Sequence, residues 1–321
     1  MKILAVDDEP FILELIPLLA ARSGFKDVTT VTSGARALDV LVAGDPFDCL
    51  LLDINMPGMN GIDLCRQVRQ LAAYRKTPII MLTAMSDREY MDSAFKAGAT
   101  DYATKPFDIN ELGARLRVAN DLVTAWREAG AANGARQEPE DQITQPGLSV
   151  PLHLEGVRDL VDFESFKNYL KQSSRAGLAS SQVVAIKVDR IADIHARASV
   201  AEFTYALRQV ADCINDVLRR WGGLLSHVGN GVFVAVSNGA APLSAREFEA
   251  EVQYLLDDRS AEFDSGQPMD LEVSVGSPIQ PSVSDAADAS RLIERATARA
   301  DSRAEAKHSG AVVVNIRRIG Q

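Results

Sequence analysis

The run CLLLD, residues 49–53, carries four apolar side chains and ends in an aspartate. It has no apolar–polar alternation, so it reads as a strand buried on both faces, as the middle of a parallel sheet requires. On either side of it the chain alternates strand and helix patterns. KILAV (2–6) is a short apolar run that ends at Asp7-Asp8. An amphipathic helix follows, with Pro10 suited to its first turn and Pro17 expected to kink or break it. VTTV (28–31) is the next strand, and the helix after it has Ser33 as N-cap and Gly44 as its stop. GIDLCRQVRQL, PIIMLTA, DREYMDSAFKAG and DYATK continue the alternation. Five βα units of this kind predict a doubly wound, five-stranded parallel α/β sheet.

At 321 residues and 46% hydrophobic content the chain has enough material for two ordinary cores. Its net charge of −10, with no Lys/Arg-rich run, argues against a nucleic-acid partner, which needs a basic face. Cys49, Cys65 and Cys213 form no CxxC pair and read as reduced thiols rather than zinc ligands or a disulfide framework. No signal peptide precedes the first strand, and no apolar run approaches the roughly 20 residues that span a bilayer. A soluble, cytoplasmic protein without a membrane partner is expected.

The last helix of the first domain starts near Asp108 and runs past Trp126. Leu112, Leu116, Ala119, Leu122 and Val123 recur on it at helical spacing. The later part of this stripe, with Trp126, is expected to project beyond the compact domain and to pair in a homodimer. Residues 132–151 are polar and punctuated by proline, a linker composition. This gives a first domain over 1–125, a helical extension and linker over 126–154, and a second domain over 155–321. In the second domain FESFKNYLKQSSRAG is a helix, VVAIKVDRI a strand, VAEFTYALRQVADCINDVLRRW a long helix and GLLSHVGNGVFVAVS a hairpin. A helix, the strand MDLEVSVGSPI, another helix and the strand AVVVNI (311–316) follow. The order predicts a second α/β domain with a mixed sheet.

In a doubly wound sheet, ligands sit at the C-terminal strand ends. Asp7 and Asp8 end the first strand, Asp53 the third, Thr83 the fourth and Lys105 the fifth. Three carboxylates converging there would repel, and a hard divalent cation such as Mg²⁺ resolves the repulsion with oxygen ligands. A carboxylate is a nucleophile towards a phosphoryl group, and an ammonium and a hydroxyl can hold the acquired oxygens. Taken singly, Asp8 reads as a helix cap and Lys105 as a solvated charge. Together, in this order at strand ends, they read as a site.

On VDDEP, LLLDINMPGMNG, MLTA and ATKPF the first 120 or so residues resemble the receiver domain of two-component response regulators. The resemblance implies a flavodoxin-like fold and phosphorylation of Asp53 by a histidine kinase or phosphotransfer protein. It implies Mg²⁺ held by Asp8, Asp53 and the Asn55 carbonyl, with Asp7 partly through water. Thr83 and Lys105 would contact the phosphoryl group, Tyr102 matches the aromatic switch residue, and Lys105-Pro106 would be a cis peptide.

The second domain resembles, less strongly, the GGDEF domain of diguanylate cyclases, a nucleotide-cyclase-like fold. The likeness rests on FESFKNYL, VVAIKVDRI, HVGNGVF, VSVGSPI and AEAKHSGAVVV. Against that pattern Lys187 replaces the first metal-binding Asp, although Asp189 remains. The signature letters are Gly229, Asn230, Gly231, Val232 and Phe233, without an acid. His195 and Thr204 replace the guanine-reading Asn and Asp. In the product-inhibition motif Arg220 is kept and Gly223 replaces the Asp. Joining two GTP molecules needs metal held by carboxylates, so no cyclase activity is expected. The reading is a response regulator with a catalytically inactive GGDEF-like domain that acts through a downstream protein partner. An effector that binds cyclic-di-GMP or GTP is a second reading, and a residual diguanylate cyclase a third.

Overall fold

The computed structural model describes all residues except 85–87, 135–144, 155, 176–180, 240–241, 282–287 and 310–321. The expected strand at 311–316 lies outside the described residues. The chain divides into two compact units, Met1–Ile143 with Glu164–Ala176, and Thr144–Phe163 with Gly177–Gln321.

In the first unit, strands β1 (Lys2–Val6), β2 (Asp27–Val31), β3 (Cys49–Asp53), β4 (Ile79–Thr83) and β5 (Asp101–Thr104) form one sheet in the order β2-β1-β3-β4-β5. Every pair is parallel. This is the doubly wound order, with the chain reversing direction between β1 and β3. All five residues of β3 are buried, as its unbroken apolar run requires. Helices α1 (Pro10–Arg22), α2 (Gly34–Ala43), α3 (Gly61–Gln70), α4 (Arg88–Lys96) and α5 (Ile109–Gly134) alternate with the strands. Ile12 and Ile16 of α1 pack with Leu112 and Leu116 of α5 and with Ile3, Leu51 and Leu82 of the sheet. Burying each such side chain contributes about 1.5–3 kcal/mol.

Two local expectations change. Helix α1 runs through Pro17 without interruption. Ile12, Ile16, Leu19 and Ala20 are buried on both sides of the proline, and that burial offsets the one hydrogen bond the ring removes. Helix α5 does not leave the unit at Leu122. Val123 is buried, and Arg127 pairs with Asp48 at 2.5 Å. Of the expected projecting stripe only Trp126 is exposed, at 39%. The caps hold as expected, with Ser33 Oγ accepting from the Arg36 amide at 3.3 Å.

Helix α6 (Phe163–Arg175) is the first helix of the second domain by sequence, yet from Glu164 on it groups with the first unit. Its Asn168, Tyr169 and Gln172 are buried. The Tyr169 ring meets Phe95 of α4 edge-on at 5.3 Å, and its hydroxyl donates to Asp92 at 2.6 Å.

The second unit is built from β6 (Gln182–Val188), α7 (Ile191–Arg197), α8 (Val200–Leu218), β7 (Gly223–Gly229), β8 (Val232–Ser237), α9 (Ala245–Arg259), β9 (Val273–Val275) and α10 (Ala289–His308). Among the described residues the sheet order is β7-β8-β6-β9. The strand pairs are antiparallel, and one parallel bridge, Leu160 to Leu225, makes the sheet mixed. A capping box between Ser199 and Glu202 starts α8, whose Phe203, Leu207, Val210 and Ile214 join Ile186, Phe233 and Val273 in the core. No helix among the described residues is long and apolar enough to cross a membrane.

His227 lies in that sheet at 3% exposure, and its Nδ1 accepts from the Leu152 amide at 2.9 Å. Its proton is therefore on Nε2, which has no hydrogen-bond partner among the described residues. Burial pushes the ring down to about 4, against about 6.5 for a free histidine. Between those pH values the unfolded chain takes up a proton that the folded one excludes. Stability of the second unit therefore falls as pH drops from about 6.5 to about 4, by up to ~3 kcal/mol. Urea melts followed by Trp221 fluorescence in a Trp126→Phe background should show this slope, and His227→Gln should flatten it.

Candidate functional site

The alternation of strand and helix brings Asp7 and Asp8 from the end of β1, Asp53 from β3 and Lys105 from beyond β5 to one edge of the first sheet. Asp7, Asp8 and Asp53 each offer an oxygen within 4.8 Å of the others. Asp7 and Asp53 are buried, at 0% and 3% exposure. Lys105 Nζ bridges them, 2.7 Å from Asp7 Oδ2 and 2.8 Å from Asp53 Oδ1, and stands 3.6 Å from Glu9. Asp7 Oδ1 accepts from the Glu9 amide at 3.0 Å, while Oδ2 has no aligned hydrogen bond besides its contact with the ammonium.

Burial raises the Asp53 carboxyl above the usual carboxylate range, opposed by Lys105 and reinforced by Asp7 and Asp8. For Lys105, burial acts downward, but the bonds and charges of Asp53 and Asp7 outweigh it and the ammonium is held above its ordinary value. One ammonium thus faces three carboxylates. The donor set fits a hard divalent cation: all oxygen, partly open at Asp8, and under-compensated in charge.

The other expected residues of this unit fall around that cluster. Thr83 is buried at the end of β4, and its carbonyl accepts from the Lys105 amide at 2.7 Å. Lys105-Pro106 is cis. Tyr102 is buried beside Phe95 at 6.5 Å, with the Arg115 guanidinium 5.8 Å over its ring. Asn55 is exposed in the turn after Asp53. That turn closes with the Gly61 amide donating to Ile54 at 3.0 Å. A Cβ on Gly61 would lie 2.1 Å from the Asp53 carbonyl, so only glycine allows the turn to fold back under the acid. Sequence reading did not single out Gly61 or Glu9, though both lie within the quoted motifs.

In the second unit Lys187, Gly229, Asn230 and Val232 line one cleft of about 530 Å³, together with Glu294, Thr297 and Asp301. Lys187 is ion-paired with Asp301 of α10, a partner the sequence reading missed because it lies 114 residues away. Asp189 is buried, accepting from Ser274 at 2.9 Å and from Lys307 at 3.2 Å. The turn residues Gly229, Asn230 and Gly231 all have positive φ, at 91°, 52° and 65°. A Cβ on Gly231 would meet Ile191 at 2.5 Å, and one on Gly229 the Ser149 carbonyl at 2.3 Å. The turn is built to pack.

The remaining residues do not join the cleft. His195 Nε2 donates to the Pro146 carbonyl at 2.9 Å. Thr204 Oγ1 donates to the Val200 carbonyl of its own helix at 2.8 Å. Phe233 is core. Arg220 is paired with Glu251 at 2.8 Å. Gly223 has φ 144°, and a Cβ there would lie 1.9 Å from the Val236 carbonyl.

The family described as the response regulator receiver domain matches residues 3–117. The DNA-binding response regulator MtrA of Mycolicibacterium smegmatis is 41% identical over 116 residues, which cover 36% of this chain and 49% of that protein. The chemotaxis protein CheY1 of Helicobacter pylori is 36% identical over 118 residues, covering 37% of this chain and 95% of that protein. The chain spans about half the length of MtrA and 57% of the transcriptional regulatory protein CseB of Streptomyces avermitilis. Among solved structures, a putative response regulator from Chloroflexus aurantiacus is 35% identical with a TM-score of 0.35, covering 38% of this chain and 97% of that one. A receiver domain of a Pseudomonas aeruginosa sensor histidine kinase, with magnesium coordinated in its active-site cleft, is 29% identical with a TM-score of 0.34, covering 38% and 97%.

Asp8 is the most open carboxylate of the cluster, so Asp8→Asn removes charge without disturbing the core. It should weaken Mg²⁺ binding by about tenfold or more, measured by isothermal titration calorimetry. Gly61→Ala should cost the first unit about 1–3 kcal/mol from the overlap with Asp53, read from its thermal or urea midpoint.

Proposed function

This chain belongs, through residues 3–117, to the response regulator receiver domain family, and from that premise we propose that Asp53 is the phosphoacceptor of a two-component pathway. The observation that carries the proposal is the cluster itself: three carboxylates within 4.8 Å, two of them bridged by Lys105. The donor is a phosphohistidine of a histidine kinase or a phosphotransfer protein. An oxygen of Asp53 attacks phosphorus as the donor's phosphorus–nitrogen bond breaks, and the carboxylate becomes an acyl phosphate. Lys105 already bonds that carboxylate and moves with it to the new oxygens, while Thr83, buried beside it, supplies a hydroxyl. Mg²⁺ bound by Asp7, Asp8 and Asp53 would neutralise the incoming phosphoryl charge.

For the second unit we infer a signalling role through protein contact, without diguanylate cyclase activity. Lys187 sets an ammonium where a cyclase would need a carboxylate, and it is already paired with Asp301. The turn at Gly229–Gly231 is packed against Ile191 and Ser149, which leaves no room for an acid at 229 or 231, and the next position is Val232, without an acid. Binding of cyclic-di-GMP or GTP finds little support, because Arg220 is engaged by Glu251 and an aspartate at 223 would collide with Val236.

With Mg²⁺ and acetyl phosphate, the intact mass should rise by one phosphoryl group. Asp53→Asn should abolish the gain. A gain that persists in that variant places the acceptor elsewhere. Incubation with GTP and Mg²⁺, with or without phosphorylation, should give no cyclic-di-GMP by mass spectrometry. Product that disappears on Asp301→Ala or Lys187→Ala would assign catalysis to the second unit.

A further inference from the structure

Three elements of the second unit meet at their ends. Asp189 follows β6, Glu272 precedes β9, and Lys307 and His308 close α10. An oxygen of Asp189, an oxygen of Glu272 and a ring nitrogen of His308 all lie within 4.8 Å of one another. Each of the three is held from behind. Asp189 Oδ2 accepts from Ser274 Oγ at 2.9 Å. Arg190 stands 3.7 Å from Glu272 Oε1, while Oε2 faces His308 Nε2 at 4.0 Å. His308 Nδ1 donates to the Ala304 carbonyl at 2.8 Å, so the neutral ring presents the lone pair of Nε2 to the carboxylates. A histidine that ligates a metal is oriented in the same way, by a bond from its other ring nitrogen to a carbonyl.

Asp189 is 2% exposed, and its Oδ1 has no hydrogen-bond partner among the described residues. A buried carboxylate oxygen is costly to leave unmatched, so the cluster has acceptor capacity that its own side chains do not fill. Lys307 Nζ compensates part of the charge, at 3.2 Å from Asp189 Oδ2, 3.2 Å from the Val273 carbonyl and 3.7 Å from Glu272 Oε2. Lys307 is exposed at the helix end, and its ammonium can swing out to water. We propose that Asp189, Glu272 and His308 form a three-ligand site for a divalent transition metal, Zn²⁺ being the best match, and that Lys307 is the cation it displaces. Two carboxylates and an imidazole suit Zn²⁺ better than Mg²⁺ or Ca²⁺, which take oxygen ligands. Tetrahedral Zn²⁺ with bonds of about 2.0–2.2 Å sets its ligand atoms about 3.3–3.6 Å apart. The 4.0 Å between Glu272 and His308 closes to that by small side-chain rotations. A bound ion would tie the end of α10 to the end of β6 and the start of β9, and would share no residue with the cluster around Asp53.

The test uses the full chain carrying Asp8→Asn, in excess Mg²⁺, so that the first unit's acids do not report. Zn²⁺ is titrated by isothermal titration calorimetry, and urea melts are followed by Trp221 fluorescence with Trp126→Phe also present. One Zn²⁺ should bind and raise the urea midpoint of the second unit. His308→Gln and Glu272→Gln should each weaken binding about tenfold or more and remove the rise in midpoint. Both side chains are 40% exposed, and far-ultraviolet circular dichroism checks that the variants keep the fold. Lys307→Met keeps the stem, removes the competing ammonium and should tighten binding severalfold. Failure of both the parent and Lys307→Met to bind Zn²⁺ overturns the site, as does binding that His308→Gln and Glu272→Gln leave unchanged. Zn²⁺ binding that Lys307→Met does not tighten overturns the displacement of the ammonium.

Discussion

A single ammonium holds the first unit's functional edge together. Without Lys105, the buried carboxylates of Asp7 and Asp53 would face each other across a few ångströms of low-dielectric interior, with Asp8 beside them. Like charges at that spacing are tolerated only when one is protonated or a cation intervenes. Lys105 supplies the cation, yet it cannot neutralise three acids, and Asp53 remains raised in pKa despite it. The site is thus held in deliberate imbalance: stable enough to fold, short of positive charge, and receptive to a divalent ion.

The strand order puts that imbalance where it can be felt elsewhere. In a β2-β1-β3-β4-β5 sheet, β3 is central and β5 is the edge. The Asp53 carboxylate sits on the central strand, and its ammonium partner follows an edge strand. Beside that edge Phe95 of α4 meets Tyr102, Arg115 of α5 pairs with Asp101, and Tyr169 of α6 bonds Asp92 of α4. The second unit has the opposite character. The turn of its hairpin is packed against Ser149 and Ile191, and its surviving acid Asp189 is engaged by Ser274 and Lys307.

Most of the first unit was legible because its signals are local. CLLLD has no alternation, Ser33 stands at a helix start, and charged residues fall at strand ends, each of which follows from short-range periodicity. What was not legible depended on distant partners. The burial of Val123 and the pairing of Arg127 with Asp48 join residues far apart in sequence. Pro17 reads as a breaker, since its cost is local while the apolar stripe that offsets it is tertiary. The docking of α6 on α4 and β5 left no trace in its own pattern, because nothing in FESFKNYLKQSSRAG marks Asn168, Tyr169 or Gln172 as contacts of residues so far away in sequence. In the second unit the sequence revealed which acids were missing. Only the packing around Gly223 and Gly231 shows that their positions have no room for a side chain.

The turn at Gly229–Gly231 has a bearing on how this chain can change. Three consecutive left-handed residues, two of them glycines wedged against Ile191 and Ser149, form a ratchet in substitution space. Any carboxylate introduced at 231 first meets Ile191 and an unfavourable φ, so it destabilises the fold before it can bind anything. Lys187 and Asp301 bind each other, so an acid at 187 would set two carboxylates together with no cation between them. Variants with an acid at 231 or at 187 are therefore each expected to be less stable than the present sequence, and selection for stability alone would remove them. An engineer seeking such a turn would have to redesign residues 148–149, 191 and 229–231 together.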